Sequence, residues 1–202
     1  RCNTYILTMR QLILYFVAFR LSWTAIVEFS TLSSLFADIG CLNNPSCRFR
    51  EFNATSACED YPYPSPAGPG ILCDQQGYVT QLNIQKSSLT GTINPVLSDL
   101  AFLTLLNLHG NQNLHGKFPS LPPKLDYVYI ANSKITGTLP PWPTGLTTVG
   151  VNDNDLSGTL PAWPLNLKQI SLEGNSFHGY VPLPAKSLSQ CDLYGGGANC
   201  FS

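Results

Sequence analysis

The chain carries little charge and no excess of either sign. Only 11% of its 202 residues are Asp, Glu, Lys or Arg, and 11 basic residues stand against 12 acidic ones. Ordinary globular domains are about one quarter charged. The low charge excludes disordered acidic or basic tails, coiled coils and long solvated helices. The lack of a basic excess argues against a nucleic-acid partner, which normally needs a basic face.

Motifs for catalysis and metal binding are also missing. The sequence contains no GxSxG, HExxH or P-loop pattern, and its cysteines and histidines lack the CxxC and HxxxH spacings typical of zinc sites. Asp153 and Asp155 could pair as acid and base, but both fall in one turn region. We therefore predict no enzyme activity, no metal site and no small-molecule cofactor.

Long apolar runs are absent except near the start of the chain. The only methionine is followed by Arg10 and an apolar run over residues 12–19, a pattern typical of a secretory signal. Arg20 and Glu28 interrupt this run, so it is too broken for a membrane-spanning helix. We predict a leader over residues 1–37 and a secreted or cell-surface location, with membrane contact only through the leader or through an anchor beyond the C-terminus. The alternative is a buried N-terminal helix.

Removing the leader leaves six cysteines, which lie only near the two ends of the mature chain. Four come before residue 74 and two come after residue 190. This even number predicts disulfide-stapled ends in an oxidising compartment. One glycosylation sequon, Asn53-Ala-Thr55, falls among the first group. The six positions are Cys41, Cys47, Cys58, Cys73, Cys191 and Cys200.

Between these cysteine groups the sequence repeats itself. A pattern that ends at Gly91 recurs at Gly116 and then every 21 residues, at Gly137, Gly158 and Gly179. Each copy begins with alternating apolar residues, continues with Asn or Ser and another apolar residue, and ends with a polar residue and the Gly. LDYVYIANSKITGTLP and LTTVGVNDNDLSGTLP are two of the five copies. This is the leucine-rich repeat template, and the period falls within its range.

Each slot of the repeat has a physical role. Alternating apolar residues such as Val149 and Val151 point inward from a short strand, and strands of successive copies pair in parallel. The repeated Gly permits a turn with positive φ. Asn side chains at the turn are expected to form hydrogen bonds with the backbone of adjacent copies. Where Ser replaces Asn, this connection between copies should be weaker. These turn positions are Ser87, Asn111, Ser133, Asn154 and Asn175.

The second half of each copy is rich in proline. The segments PSLPPK, PPWPTG and PAWPLN disfavour helix, so we predict an extended convex side. The first and longest copy, with INPVLSDLAF, has room for a helical turn. Trp142 and Trp163 lie 21 residues apart and are expected to pack structurally on this side, the alternative being an exposed anchor.

The segments ITGTLP and LSGTLP and the opening GILCDQQGYVTQLNI resemble the plant-type extracellular leucine-rich repeat family, over residues 58–202. The copies are short and proline-rich, as in compact repeats of plant, fungal and protist secreted or receptor-like proteins. The resemblance implies a mostly β leucine-rich-repeat solenoid of the α/β class, with a curved, right-handed parallel sheet. The expected units are the leader, an N-terminal cap over 38–78, five repeats over 79–187 and a C-terminal cap over 188–202.

The ends of a solenoid lack a neighbouring turn and need polar or stapled caps. Four N-terminal cysteines allow three pairings, so only the C-terminal pair is nearly forced. The expected disulfides are Cys58–Cys73, Cys41–Cys47 and Cys191–Cys200.

Parallel strands in register align their outward residues in columns on the concave sheet. Tyr127, Tyr129, Leu105 and His109 converge there on an aromatic-centred patch with an amide surround, which suits an interface anchor or a sugar. The alternative is that these are ordinary exposed sheet residues. The predicted ligand-binding residues are Leu105, Asn107, His109, Tyr127, Tyr129, Asn152, Gln169 and Glu173.

The family resemblance implies extracellular recognition. We predict a non-enzymatic module that binds a protein, peptide or glycan on its concave sheet. Two alternatives stay open at this point: an ectodomain fragment of a membrane receptor-like protein or kinase, and a secreted inhibitor of a cell-wall hydrolase.

Overall fold

The computed structural model describes residues 23–40, 70–183, 188–193 and 200–201. The chain forms one α-helix, one short 3₁₀ helix and a series of short strands within these residues. The helices are α1 (Trp23–Asp38) and the 3₁₀ helix Pro95–Asp99. The strands are β1 (Gly70–Cys73), β2 (Val79–Asn83), β3 (Leu105–Asn107), β4 (His115–Lys117), β5 (Tyr127–Tyr129), β6 (Lys134–Gly137), β7 (Thr148–Gly150), β8 (Asp155–Gly158), β9 (Gln169–Ser171), β10 (Ser176–Gly179), β11 (Gln190–Asp192) and β12 (Cys200–Phe201).

Seven strands form what we call the main sheet. Its order is β1-β2-β3-β5-β7-β9-β11, so each repeat contributes one strand and successive repeats are neighbours. β1 pairs antiparallel with β2, and every later pair is parallel. The register aligns equivalent residues of each repeat, as Leu105, Tyr127, Thr148, Gln169 and Gln190 show. The predicted parallel-sheet solenoid is confirmed.

A second sheet, which the sequence analysis did not predict, runs along the same solenoid. It contains the five strands β12-β10-β8-β6-β4, paired in parallel. The repeated glycines lie in or at the ends of its strands, and Gly116, Gly137, Gly158 and Gly179 have φ of 94°, 88°, 88° and 91°. The predicted positive-φ role of the repeated Gly is therefore confirmed for these four positions, but within a sheet rather than in an isolated turn.

Gly91 differs from the other repeated glycines because it makes room for another element. A Cβ atom there would lie 1.7 Å from the carbonyl oxygen of Asp38, at the C-terminus of α1. The backbone N–H of Thr92 donates to the same oxygen at 2.8 Å. The end of α1 thus docks directly onto the first repeat.

Inward-facing residues of both sheets fill one continuous core. The main sheet contributes one inward residue from the strand of each repeat, and the other side contributes the apolar residue two positions before each repeated Gly. Burial of this apolar surface is the chief favourable term for folding, at about 25 cal/mol per Å². The buried slots are Leu82, Leu106, Val128, Val149 and Ile170 from the main sheet, and Leu89, Leu114, Ile135, Leu156 and Phe177 from the other side.

A ladder of buried Asn side chains joins adjacent turns, as predicted. Asn154 Oδ1 accepts from the backbone N–H of Ile135 at 3.0 Å, and its Nδ2 donates to the carbonyls of Ile130 at 2.6 Å and Val151 at 3.1 Å. Asn111 and Asn175 make the equivalent bonds.

The Ser rungs of the ladder do not reach across turns with their side chains. Ser133 Oγ donates only to Ala131 of its own turn, at 3.5 Å, and Ser87 Oγ donates to Gln85 at 3.1 Å. A shorter side chain cannot span the gap that the Asn amide bridges. These two rungs are therefore weaker, in agreement with the sequence prediction.

The convex side contains no α-helix within residues 70–183, and the helical turn expected in the first repeat is the 3₁₀ helix. Asn94 caps this helix by accepting from the N–H of Val96 at 2.9 Å. Trp142 and Trp163 are both buried, and Trp142 meets Phe118 edge to face. Their predicted structural packing is confirmed.

Helix α1 lies almost entirely within the segment that is predicted as a leader, residues 1–37. Leu32, Leu35, Phe36 and Ile39 are almost fully buried in the common core. A cut close to residue 37 would remove three of these four side chains from the core, and the leader over residues 1–37 stays a prediction. Residues 1–22, which carry most of the predicted signal, lie outside the described residues. In the part of the chain that the structure describes, no helix has the length and apolarity needed to cross a membrane.

The two ends of the solenoid differ in their cysteine chemistry. Cys73 is disulfide-bonded. Cys191 is a free, exposed cysteine, so the predicted Cys191–Cys200 disulfide is not formed in the structure. The physical reason is that Cys191 belongs to β11 of the main sheet, whereas Cys200 belongs to β12 of the second sheet. The predicted Cys41, Cys47, Cys58 and the sequon at Asn53 lie outside the described residues.

Candidate functional site

The predicted ligand-binding residues occupy the solvent face of the main sheet or the turns that follow its strands. Leu105 and Asn107 lie on β3 directly beside Tyr127 and Tyr129 of β5. Gln169 begins β9, which pairs with β7. Tyr127 is 39% exposed, whereas Tyr129 is partly covered. The structure thus brings these side chains onto one face because the strand register is the same in every repeat.

A hollow of about 280 Å³ opens on this face between β5 and β9. Its floor is formed by three small, buried residues: Ala131, Thr148 and Gly150. Tyr129 stands on one side, and Gln169 stands on the other. The remaining lining residues are His109, Val149, Asn152, Ile170, Ser171 and Gln190.

Gly150 creates the space that the Tyr129 ring occupies. A Cβ atom at Gly150 would lie 2.8 Å from Cδ1 and 3.3 Å from Cε1 of Tyr129. These distances are too short for any larger residue unless the ring moves. The ring therefore lies against the bare backbone of β7 and forms one wall of the hollow.

Four of the predicted residues line the hollow, and four do not. His109, Tyr129, Asn152 and Gln169 contribute to its surface. The other four lie elsewhere on the same side of the molecule: Leu105, Asn107, Tyr127 and Glu173.

Seven lining residues are not among the predicted ones. The signal that could have identified part of this set is the small size of Ala131 and Gly150 in columns of otherwise larger residues, because small residues leave a hollow. The seven residues are Ala131, Thr148, Val149, Gly150, Ile170, Ser171 and Gln190.

The polar groups of the hollow fall into two sets. Asn152 Nδ2 donates to Asp153 at 2.7 Å, Gln190 Nε2 donates to Asp192 at 3.0 Å, and Ser171 Oγ donates to Glu173 at 2.8 Å. The second set, the hydroxyls of Thr148 and Tyr129, has no hydrogen-bond partner among the described residues. The hollow thus offers both acceptors and unused hydroxyls.

Tyr129 remains a neutral phenol at physiological pH. Burial raises the pKa of Tyr129 above its usual value, and the neighbouring Tyr127 raises it further. Its hydroxyl is therefore available both to donate and to accept a hydrogen bond.

A second depression of about 360 Å³ lies over the turns that follow β3, β5 and β7. Gln112, Asn113, Asn132, Ser133, Lys134 and Asp153 line it. Lys134 Nζ donates to Asn113 Oδ1 at 3.5 Å. Within the described residues, no group of three His, Cys, Asp or Glu side chains is placed to hold a metal ion.

The repeat register, the Asn ladder and the two parallel sheets define a leucine-rich-repeat solenoid. No protein-family profile matches the chain. Among solved structures, the fold is similar to the leucine-rich-repeat ectodomain of the receptor kinase SOBIR1 from Arabidopsis thaliana. The TM-score is 0.67 at 23% identity, and the match covers 90% of this chain and 98% of that one.

Two further solved structures are similar to this chain. The PEPR1–AtPEP1 structure matches with a TM-score of 0.68 at 25% identity, over 87% of this chain. The Arabidopsis receptor kinase HAESA, in complex with the peptide hormone IDA and the co-receptor SERK1, matches with a TM-score of 0.65 at 18% identity, also over 87% of this chain. This chain spans 25% and 30% of the length of those two chains.

Proposed function

We propose that the chain is a non-enzymatic, extracellular recognition module that binds a protein, peptide or glycan on the solvent face of its main sheet. Secretion through an N-terminal signal, glycosylation at Asn53 and disulfides among the N-terminal cysteines belong to the same proposal. The proposed recognition surface is centred on the hollow beside Tyr129.

The observation that carries this proposal is the hollow itself. The hydroxyls of Thr148 and Tyr129 have no hydrogen-bond partner among the described residues, although Thr148 is only 5% exposed. A ligand that covers these hydroxyls must bond them, because a hydroxyl that is buried without a partner costs free energy. The strands around the hollow are paired in one register, so the site is already formed before binding.

Receptor-like recognition is further supported by the comparisons. The similar structures include receptor kinase ectodomains, and HAESA is in complex with a peptide hormone and a co-receptor. An ectodomain fragment of a receptor-like protein or kinase is accordingly our second candidate. A secreted inhibitor of a hydrolase has no specific support on this surface.

The proposal is tested by capture with matched variants. The full chain, immobilised, is incubated with extracellular fluid from the source organism, and the bound proteins, peptides and glycans are identified by mass spectrometry. Tyr129→Ala should lose the captured ligand. Tyr180→Ala should retain it, because Tyr180 is 81% exposed and follows a strand of the second sheet.

Equal thermal stability of the two variants by circular dichroism serves as the control for folding. Equal capture by wild type and Tyr129→Ala would show that the proposed surface is wrong.

A further inference from the structure

We infer that the hollow beside Tyr129 is a subsite for one uncharged sugar ring, a hexopyranose carried by an oligosaccharide or a glycoprotein. This inference rests on the proposed function, because it names the chemistry that the same surface recognises. It is carried by the hydrogen-bonding state of the lining side chains and by the position of one aromatic ring.

The first step concerns the acceptors on the hollow's rim. Asn152, Ser171 and Gln190 each direct a donor to a neighbouring carboxylate. Their oxygen atoms therefore remain as acceptors on the rim. Because the Asn152 and Gln190 amides each keep a second N–H, the rim offers donors as well as acceptors, and the hydroxyl groups of a sugar can bond both.

The second step concerns the unused hydroxyls. Thr148 is only 5% exposed, and its outward position between Tyr127 and Gln169 places it in the floor of the hollow. Its hydroxyl and that of Tyr129 have no hydrogen-bond partner among the described residues. An aliphatic ligand would cover both hydroxyls without bonding them, which is unfavourable. The ligand must therefore carry polar atoms to the floor as well.

The third step concerns charge. No Asp, Glu, Lys or Arg lines the hollow. The nearby carboxylates of Asp153, Glu173 and Asp192 already accept the bonds described above and do not line it. An anionic ligand would face these carboxylates, and a cation in the hollow would be desolvated without a direct partner. The site chemistry favours a neutral ligand.

The fourth step concerns shape. The Tyr129 ring lies against the Gly150 backbone and forms a flat wall. A pyranose ring has a face of C–H groups that packs on an aromatic ring while its hydroxyls point to the sides. A Ser, Thr or Asn side chain of a peptide has the polar atoms but not this flat apolar face. A volume of about 280 Å³ also exceeds the size of these short side chains.

The test uses the full chain and isothermal titration with four hexasaccharides: cellohexaose, mannohexaose, laminarihexaose and, as the acidic comparison, hexagalacturonic acid. We expect saturable binding of at least one neutral oligosaccharide with a Kd below about 1 mM, and weaker binding of the acidic one. The same neutral sugar attached to a glycopeptide would distinguish a glycoprotein source from a free polysaccharide by its tighter binding.

Variants then assign the contacts. Tyr129→Ala should weaken binding by about tenfold or more, since it removes the stacking face. Tyr129→Phe should keep the face and lose about threefold, and Thr148→Val, which preserves the volume, should lose about threefold to tenfold. Tyr180→Ala should bind as wild type does.

The inference would be overturned if no neutral oligosaccharide bound at millimolar concentration, or if Tyr129→Ala and Thr148→Val left the Kd unchanged while both variants melted like wild type. A captured peptide that still required Tyr129 would then leave the proposed function standing. If no ligand depends on Tyr129 for binding, both the sugar subsite and the proposed recognition surface are wrong.

Discussion

Replacing Asn154 by Ala should destabilise the solenoid strongly, because this one side chain joins two turns. Its amide accepts from Ile135 N and donates to the carbonyls of Ile130 and Val151, and the residue is only 7% exposed. The perturbation therefore removes hydrogen bonds and leaves buried polar atoms without partners.

The magnitude follows from what the backbone can recover. Each buried hydrogen bond contributes about 1 kcal/mol net, and a buried group left without a partner costs about 1–3 kcal/mol. At the neighbouring Ser133 rung, the N–H of Leu114 bonds to Asn111 of its own turn at 2.9 Å instead. If Ile135 N makes the same local bond, the loss is about 2 kcal/mol; if it does not, the loss is about 4 kcal/mol.

The assay is urea unfolding of the full chain, followed by circular dichroism. Ser133→Ala is the matched control, because the Ser133 hydroxyl bonds only its own turn and its loss should cost less than about 0.5 kcal/mol. Asn154→Asp keeps the acceptor but loses the donors, and at neutral pH it should be at least as destabilising as Asn154→Ala. A loss below about 0.5 kcal/mol for Asn154→Ala, or an equal loss for Ser133→Ala, would refute the reasoning.

Three further predictions concern other parts of the fold. Trp163→Phe should cost about 1 kcal/mol more than Trp142→Phe in thermal unfolding, because Trp163 Nε1 donates to a carbonyl at 2.7 Å whereas Trp142 Nε1 is buried without a partner among the described residues. Partial burial, and then the charge of Asp192, raise the pKa of the Cys191 thiol. Its alkylation by iodoacetamide should therefore be slower at pH 7 than that of a fully solvated cysteine, and the rate should increase as the pH rises. Asp192→Asn should shift the midpoint of this pH profile downward. Gly91→Ala should release α1 and make it sensitive to limited proteolysis, whereas an unchanged digestion pattern would contradict its docking role.

Much of the main sheet could be predicted from the sequence because equivalent positions of successive repeats pair with one another in the sheet. Val149 and Ile170 are equivalent in the pattern and are paired neighbours in the sheet. The buried Asn rungs were predictable for the same reason, since a polar residue that recurs at one turn position must find backbone partners there.

The second sheet was not predictable from the same pattern. Its strands have at most four residues, and four of the five contain a glycine with positive φ, as in Lys134–Gly137. Such a segment looks like a turn when taken alone. It becomes a strand because the adjacent repeat presents the same segment in register, at Asp155–Gly158.

The position of Cys191 and Cys200 near one end of the chain predicts a disulfide between them, but proximity in sequence is a poor guide to proximity of side chains in a solenoid. One turn of the chain passes from the main sheet to the second sheet within a few residues. Cys191 pairs beside Ile170, and Cys200 pairs beside His178. The two cysteines therefore follow different faces of the same turn.

Gly150 illustrates how a small residue shapes the recognition surface that we propose. Gly in a strand weakens it by about 0.5–1 kcal/mol relative to Ala. Unlike Gly137 or Gly158, Gly150 does not adopt a positive φ, so the backbone does not require glycine there. The contact that does require it is the Tyr129 ring, 2.8 Å from where a Cβ would stand. Gly150 thus gives up strand stability to seat one aromatic side chain on the solvent face, and the recognition role that we propose for Tyr129 accounts for this arrangement.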